Sequence, residues 1–397
     1  MCAIFIVSSN KKAYKRKNSM DNLLNNGLKV KLASFNNLLQ MELFQNLGES
    51  MVTPDEDQKA FMRQYALIVE CGASPGVQAS LTGRPMSSRR SILKLFFLKA
   101  FKNLPTTKAA RDLVRSSYTW RRVCGFESTR DVPSEATLSR AFAEFSSCGL
   151  MGAIHKAILR KCIKDTKTIL HNVSGDSTEI VARERGAGKE KAEKPRPTGR
   201  RGRRPAAERR NTPPPEPSNL ERQAASPLQE NLSRIPRECN WGCKANSKGT
   251  VERWRGYKLH IDASDCGVVT SALLSSASMH DSQAAIPLMQ MTAENTFFHF
   301  YDLMDAAYDS KHIMGFSRSL GHVPIIDPNR RNGPARELDP ASRARYKCRT
   351  SVERVNSELK DSYGARNVMV RGAAKVFTHL MFGVVLVTVK HLLSMLC

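Results

Sequence analysis

The sequence predicts an α/β protein: a mixed sheet with flanking helices, preceded by a small all-helical domain and interrupted by a disordered basic insertion. Three observations carry this expectation. Beyond Met151 strand-like apolar runs alternate with stretches of helical spacing, whereas from Ser87 to Gly149 the spacing is helical throughout. Between the first strand and the rest, Arg183 to Arg210 holds 12 Lys+Arg against four Asp+Glu with interspersed Gly and Pro, and a Pro run follows at 213–217. Such a stretch has no periodic apolar residues from which to build a face.

Residues 1–50 are polar and rich in Asn and Lys, with weak periodicity around Leu38 to Leu47; they read as a basic arm or as an upstream extension, since Met20, Met41 and Met51 offer other starts. In 51–150, Ile92, Leu95, Phe96 and Ala100 mark one helix. Pro105-Thr106-Thr107 breaks it and caps a second through Leu113 and Val114, and Ser134 caps a third carrying Leu138, Phe142 and Phe145. Arg89, Arg90, Lys94, Lys99, Lys102, Lys108, Arg111, Arg115, Arg121 and Arg122 make the expected surface basic. This is either a helical DNA-binding domain or an ordinary bundle with a solvated basic face.

The expected catalytic domain is 151–397. A helix from about Met151 to Lys164 leads to a strand, Thr168 to Val173, running into Gly175-Asp176-Ser177-Thr178. The insertion occupies about 182–250, and its 198–205 centre is either a minor-groove arginine hook or a tether that binds phosphates without reading sequence. Order returns at Trp254. Tyr257 to Ala263, a turn at Ser264-Asp265-Cys266-Gly267 and Val268 to Leu274 form a hairpin. A helix (Ser282 to Thr292), a strand (Phe297 to Met304), a helix (Lys311 to Leu320), a short strand (His322 to Ile326) and a helical C-terminal region follow.

The chain has 397 residues, a prior of two to three domains at roughly 150 residues each. Its net charge of +25 calls for a polyanionic partner, most simply nucleic acid. A content of 41% hydrophobic residues excludes a wholly disordered basic tail. The longest apolar run, Val376 to Met395, is broken by His379, Lys390 and His391 and reads as a buried helix rather than a membrane span. Met1 to Val7 is too short for a signal peptide, so a cytoplasmic location is expected. The ten cysteines have no repeated spacing and are expected as free thiols. Cys239 and Cys243, with Cys266 and His260 nearby in sequence, leave zinc open against idle thiols.

The chemistry concentrates at Tyr346 to Lys360. At 100° per residue Tyr346, Arg349, Glu353 and Lys360 share a stripe of about 60°, while Cys348, Val352, Val355 and Leu359 form a separate apolar stripe that can dock on the sheet. An i,i+4 salt-bridge ladder would instead alternate signs. A lone Glu among cations suits phosphate chemistry if it helps hold a divalent metal, and two-metal phosphodiester cleavage needs carboxylates converging from separate elements. Asp176 at the end of the first strand and Asp305 at the end of the third are the expected partners; Asp302 and Asp309 compete with Asp305. Hard oxygen donors select Mg²⁺ or Mn²⁺.

These residues match a known pattern. Tyr346, Arg349, Glu353 and Lys360 have the Y-(2)-R-(3)-E-(6)-K spacing, and the chain resembles bacterial insertion-sequence DDE transposases over about 80–395. Gly175-Asp176-Ser177-Thr178 and Asp305-Ala306-Ala307-Tyr308-Asp309-Ser310 resemble that family's first and second aspartate segments. Trp254 to His260 and His280-Asp281-Ser282 are similar to its hairpin region, and Gly83 to Phe145 is similar to its N-terminal domain. The resemblance implies an RNase H-like fold and Mg²⁺-dependent cleavage at the terminal inverted repeats of an element, followed by strand transfer into target DNA. It implies double-stranded DNA as partner and a homodimer in the DNA complex. Asp176, Asp305 and Glu353 would hold the metals, Arg349 and Lys360 would grip phosphates, and Tyr346 would stack or hydrogen-bond on the DNA end. The alternatives are a domesticated or decayed transposase that only binds DNA, and a nuclease without strand transfer.

Overall fold

The computed structural model describes residues 54–71, 87–186, 217–245, 250–329 and 337–395. The readings made for residues 1–50 and for the arginine-rich 198–205 lie outside them. Helices α1 (Glu56–Glu70), α2 (Arg89–Phe101), α3 (Thr107–Ser116), α4 (Tyr118–Cys124), α5 (Glu135–Ser147) and α6 (Leu150–Leu159, continued by a π turn to Lys164) precede the sheet. The expected caps are present: Thr106 Oγ1 accepts from the Ala109 N–H, and Ser134 Oγ from the Thr137 N–H. α2 differs from the one-sided amphipathic helix the spacing predicts. Leu93, Phe97 and Leu98 are buried along with Ile92, Leu95 and Phe96, so the helix is enclosed on nearly every side. Lys99, expected on the basic surface, is enclosed with it.

The sheet has six strands among the described residues: β1 (Ile169–Val181), β2 (Asn240–Ala245), β3 (Val251–Ser264), β4 (Val269–Ser276), β5 (Phe298–Met304) and β6 (Val323–Ile326). β1 pairs antiparallel with β3 and parallel with β5, and β6 extends the parallel side. β3 is long enough to serve two neighbours on its other edge: β2 along Val251 to Gly256 and β4 along Tyr257 to Ala263. The hairpin thus forms as its alternation predicts. β1 runs further than the expected Thr168–Val173, through Gly175-Asp176 to Val181, because β3 supplies partners that far.

The expected disordered insertion at about 182–250 is corrected over part of its length. Within 217–245 lie α7 (Asn219–Ala225), α8 (Leu228–Arg234) and β2. Ser218 and Glu221 make a capping box that starts α7 directly after the Pro run, and Asn231 Nδ2, fully buried, donates to Gln223 O and Gln290 Oε1. Local capping and side-chain bonding to the following helix order a segment whose composition alone reads as loop.

α9 (Ser282–Asn295) packs mainly on β4 and β3 and α10 (Lys311–Ser319) on β6, and α11 (Pro340–Tyr346), α12 (Thr350–Ser362) and α13 (Ala373–Ser394) close the chain. α13 is long and apolar enough to cross a membrane, but 78% of its most apolar window is buried within the protein. Its residues Leu380, Phe382, Val385 and Val389 belong to one continuous core with Phe96 and Phe97 of α2, Phe145 of α5 and Leu259 of β3. Phe382 meets Phe97 edge-on with centroids 4.9 Å apart. The Sγ atoms of Cys71 and Cys162 lie 4.0 Å apart, and Cys239 is buried while Cys243 is exposed.

Candidate active site

The parallel register between β1 and β5 pairs Val173 with Asp302 and Ser174 with Leu303. Two residues beyond that last pair come Asp176, still within β1, and Asp305, just past β5, each on the face of its pair member by the two-residue period of a strand. Asp176 lies within β1 rather than at its end, whereas Asp305 follows the last residue of β5 and caps a 3₁₀ turn (Ala306–Tyr308), accepting from the Ala307 N–H at 2.9 Å. Burial pushes the Asp176 carboxyl up to about 6, and the charge of Asp305 adds to that push against the opposing pull of Arg349 and Lys244. Asp305 is raised as well, by burial first and by Asp281, with Arg349 and Lys244 again opposing.

α12 lies along β1. Asn356 Nδ2 donates to Asp176 Oδ2 at 3.0 Å, and Lys360 ion-pairs with Glu179, three strand residues beyond Asp176. Glu353, one turn before Asn356, ion-pairs with Arg349. The Arg349 guanidinium interacts with Tyr346, Glu353, Asp176 and Asp305, and sits 5.8 Å from the Tyr346 ring centroid. Tyr346 is pushed up to about 12, by burial first and by Asp327 and Asp305 among its neighbours. Tyr346, Arg349, Asp176, Asp305 and Glu353 therefore share one neighbourhood, with Arg349 at its centre. Lys360 stands apart from the acids, at Glu179.

The single helix assumed for Tyr346 to Lys360 is broken. A 3₁₀ turn (Lys347–Arg349) separates α11 from α12, so Tyr346 and Glu353 do not ride one regular helix. The apolar stripe survives the break: Val352, Val355 and Leu359 are buried against the sheet side, as their spacing predicts. Arg349 and Glu353 do form an i,i+4 pair, but the same guanidinium also reaches two acids on the sheet.

Residues 230–388 match the transposase DDE domain family, and residues 57–144 match a second family described as a transposase domain (DUF772). The two stretches together cover more than half of the chain. The chain belongs to the DDE transposases. No curated protein and no solved structure matches it. Membership implies DNA binding, nuclease-type chemistry and divalent metal ions. The DDE match contains Asp305 and Glu353 but begins after Asp176, which is tied to the site by Asn356 and by the charges of Arg349 and Asp305.

The donor set of this transposase fits hard divalent cations. Asp305 raises the proton affinity of the half-buried Asp176 and Asp281 raises that of Asp305, and Arg349 and Lys244 offset these charges only in part. The buried Tyr308 hydroxyl faces Asp281, Asp176, Asp305 and Asp262 and has no hydrogen-bond partner among the described residues. Crowded oxygens of one charge are the surroundings in which Mg²⁺ or Mn²⁺ is favoured over softer metals. Each acid is held by a different element, so β1, β5 and α12 all bear on the site.

The competing aspartates are engaged elsewhere. Asp302 is buried and accepts from His299 Nε2 at 2.7 Å, His322 Nδ1 at 3.1 Å and Ser317 Oγ at 2.6 Å. Asp309 accepts from the Asn329 N–H at 2.9 Å, while Ser310 rather than Asp309 caps α10. Sequence reasoning missed Asn356, Lys244 and Asp281 as members of the site. Asn356 was legible in principle, since it stands one turn after Glu353. Asp281 follows β4 and accepts from Lys258 Nζ at 2.8 Å, a long-range pairing with no local signal. Lys244 comes from β2, in the stretch expected to be disordered.

Proposed function

We propose that this transposase has an RNase H-like catalytic fold and performs cut-and-paste transposition. It cleaves the terminal inverted repeats of an insertion sequence with Mg²⁺ and joins the ends to target DNA. The observation that carries this reading is that Asp176 on β1 and Asp305 just past the end of the parallel neighbour β5 both interact with Arg349 of the Glu353-bearing segment. The order β4-β3-β1-β5-β6, antiparallel on one side of β1 and parallel on the other, supports the fold assignment.

Asp176, Asp305 and Glu353 would hold the metal ions, whose chemistry when bound would be to activate a water or 3′-OH and to stabilise a leaving oxygen. Asn356 Nδ2 orients Asp176 by donating to one of its oxygens, and the Ala307 N–H does the same for Asp305. Arg349 offsets part of the acids' charge and is the guanidinium that would grip a phosphate beside them. Tyr346, flanked by Arg349, offers a ring and a hydroxyl to the DNA end, and Lys360 grips the backbone two turns further along α12. The protein acts as a homodimer on its DNA, in the cytoplasm.

Labelled element ends incubated with the purified chain and Mg²⁺ test the assignment. Asp176→Ala, Asp305→Ala and Glu353→Ala should each abolish cleavage while end binding persists, because carboxylates repel DNA. Cleavage that survives Asp305→Ala and is lost in Asp309→Ala contradicts the choice of second acid.

A further inference from the structure

A cavity of about 370 Å³ lies between helices that precede the sheet and the C-terminal helix α13, and none of the three carboxylates lines it. One wall is the aromatic cluster of Phe96, Phe142 and Phe382, with Phe96 and Phe142 centroids 5.0 Å apart. Lys99 of α2 lines the cavity with only 8% of its surface exposed. Its amine has no hydrogen bond and no ion pair among the described residues. The nearest ionisable neighbours do not compensate it. His379 is kept neutral, driven down to about 3 by burial and by Lys99 itself, and donates to Gly364 O at 3.0 Å. Glu135 stands exposed on the lining and forms no ion pair with Lys99.

An ammonium buried without a counter-ion is costly, which is why such groups are paired or shed their proton. Burial lowers the Lys99 amine to about 8, so it remains mostly charged at neutral pH. The surroundings add positive potential. Thr107, first residue of α3, and Glu135 and Ala136, first residues of α5, also line the cavity. The leading N–H groups of a helix have no partner within it, and its positive dipole end favours an anion. The N-cap hydroxyls of Thr106 and Ser134 take the third N–H of each helix, leaving the first two available.

We propose that the cavity between α2, α3, α5 and α13 is a phosphate-binding site, with Lys99 as the counter-ion and the N-termini of α3 and α5 as donors. The phosphate comes either from the DNA backbone or from a free phosphate monoester. Ser139 on the lining supplies a hydroxyl to it.

Thermal unfolding of the full chain in increasing inorganic phosphate, against chloride at matched ionic strength, tests this. Phosphate binding to the native state raises Tm in the wild type. The rise should vanish in Lys99→Met and persist in Lys99→Arg. Lys99→Met exchanges a buried charge for an apolar chain of similar length, so it should fold at least as stably in chloride. Ser139→Asp, which places a carboxylate beside Lys99, should abolish the phosphate response independently. Repeating the titration with saturating duplex separates the sources. Loss of the phosphate response on DNA, with a salt slope for DNA binding lower by about one unit in Lys99→Met, assigns the site to the backbone. A response that survives the duplex assigns it to a free monoester. No response in the wild type, or an equal response in Lys99→Met, overturns the proposal.

Discussion

At the scale of single residues, the sheet beneath the active site contains an acid under strain. Asp262 on β3 pairs with Gly175, next to Asp176. It is 2% exposed; Thr292 and Ser271 donate to its Oδ2, and its Oδ1 has no partner among the described residues. Burial raises its carboxyl to about 7 from an ordinary 3.8. The folded value exceeds the unfolded one, so between those limits the native state keeps a proton that the unfolded chain releases. Stability therefore falls as pH rises from about 4 to about 7, and the loss is complete above that range. Asp262→Asn should be more stable than the wild type at pH 8 by an amount on the order of a few kcal/mol. The advantage should shrink toward pH 4, as read by urea midpoints. A constant difference across that range would show that the hydroxyl contacts, rather than the charge, decide the outcome.

Lys360 gives a second test at this scale. Its ion pair with Glu179 competes with any phosphate it serves. Glu179→Gln should tighten end binding, and Lys360→Ala should weaken it and lower the salt slope by about one unit. An unchanged slope in Lys360→Ala removes that lysine from the DNA interface.

At the scale of elements, the long β3 strand holds the site together by pairing with β1 on one edge and with β4 and β2 on the other. Gly256 is the junction, paired with Val181 of β1 and with Asn240 of β2. A Cβ there would lie 2.0 Å from the Ile180 carbonyl oxygen, an approach that only backbone displacement can relieve. Gly256→Ala should cost about 3 kcal/mol or more in chemical denaturation, and should impair cleavage through β1. No sequence signal marks that glycine, because the conflict is with a residue 76 positions earlier. Strands and hairpin were legible because alternation is local. The turn between α11 and α12 was not, because helical spacing continues across it. Asp176 and Glu353 were legible as carboxylates of the right kind, yet the docking of α12 on β1 through Asn356 and Asp176 is a long-range fact.

At the scale of the whole molecule, the helices before the sheet and the catalytic sheet share one core. Sequence reading separates 51–150 from 151–397, since composition and periodicity change there. The apolar surfaces of α2, α5 and α13 nevertheless interlock through Phe96, Phe142 and Phe382. α13 reads as an isolated apolar helix until its partners on both sides are known. Unfolding should therefore be one transition. Trp120, buried beside Phe61 in the helices, and Trp254 on β3 report the two regions. Variants retaining a single Trp at either position should give coincident urea curves, and separated midpoints would show that the shared core does not couple them.

The central claim is that acids from β1, β5 and α12 act as one cation-dependent cleavage centre. The most direct measurement is Mg²⁺-dependent nicking of labelled element ends by the wild type and by Asp176→Ala, Asp305→Ala and Glu353→Ala, each checked for retained end binding. Cleavage by the wild type alone, with binding intact in all three variants, is the predicted result. Undiminished cleavage by any one of the three would contradict it.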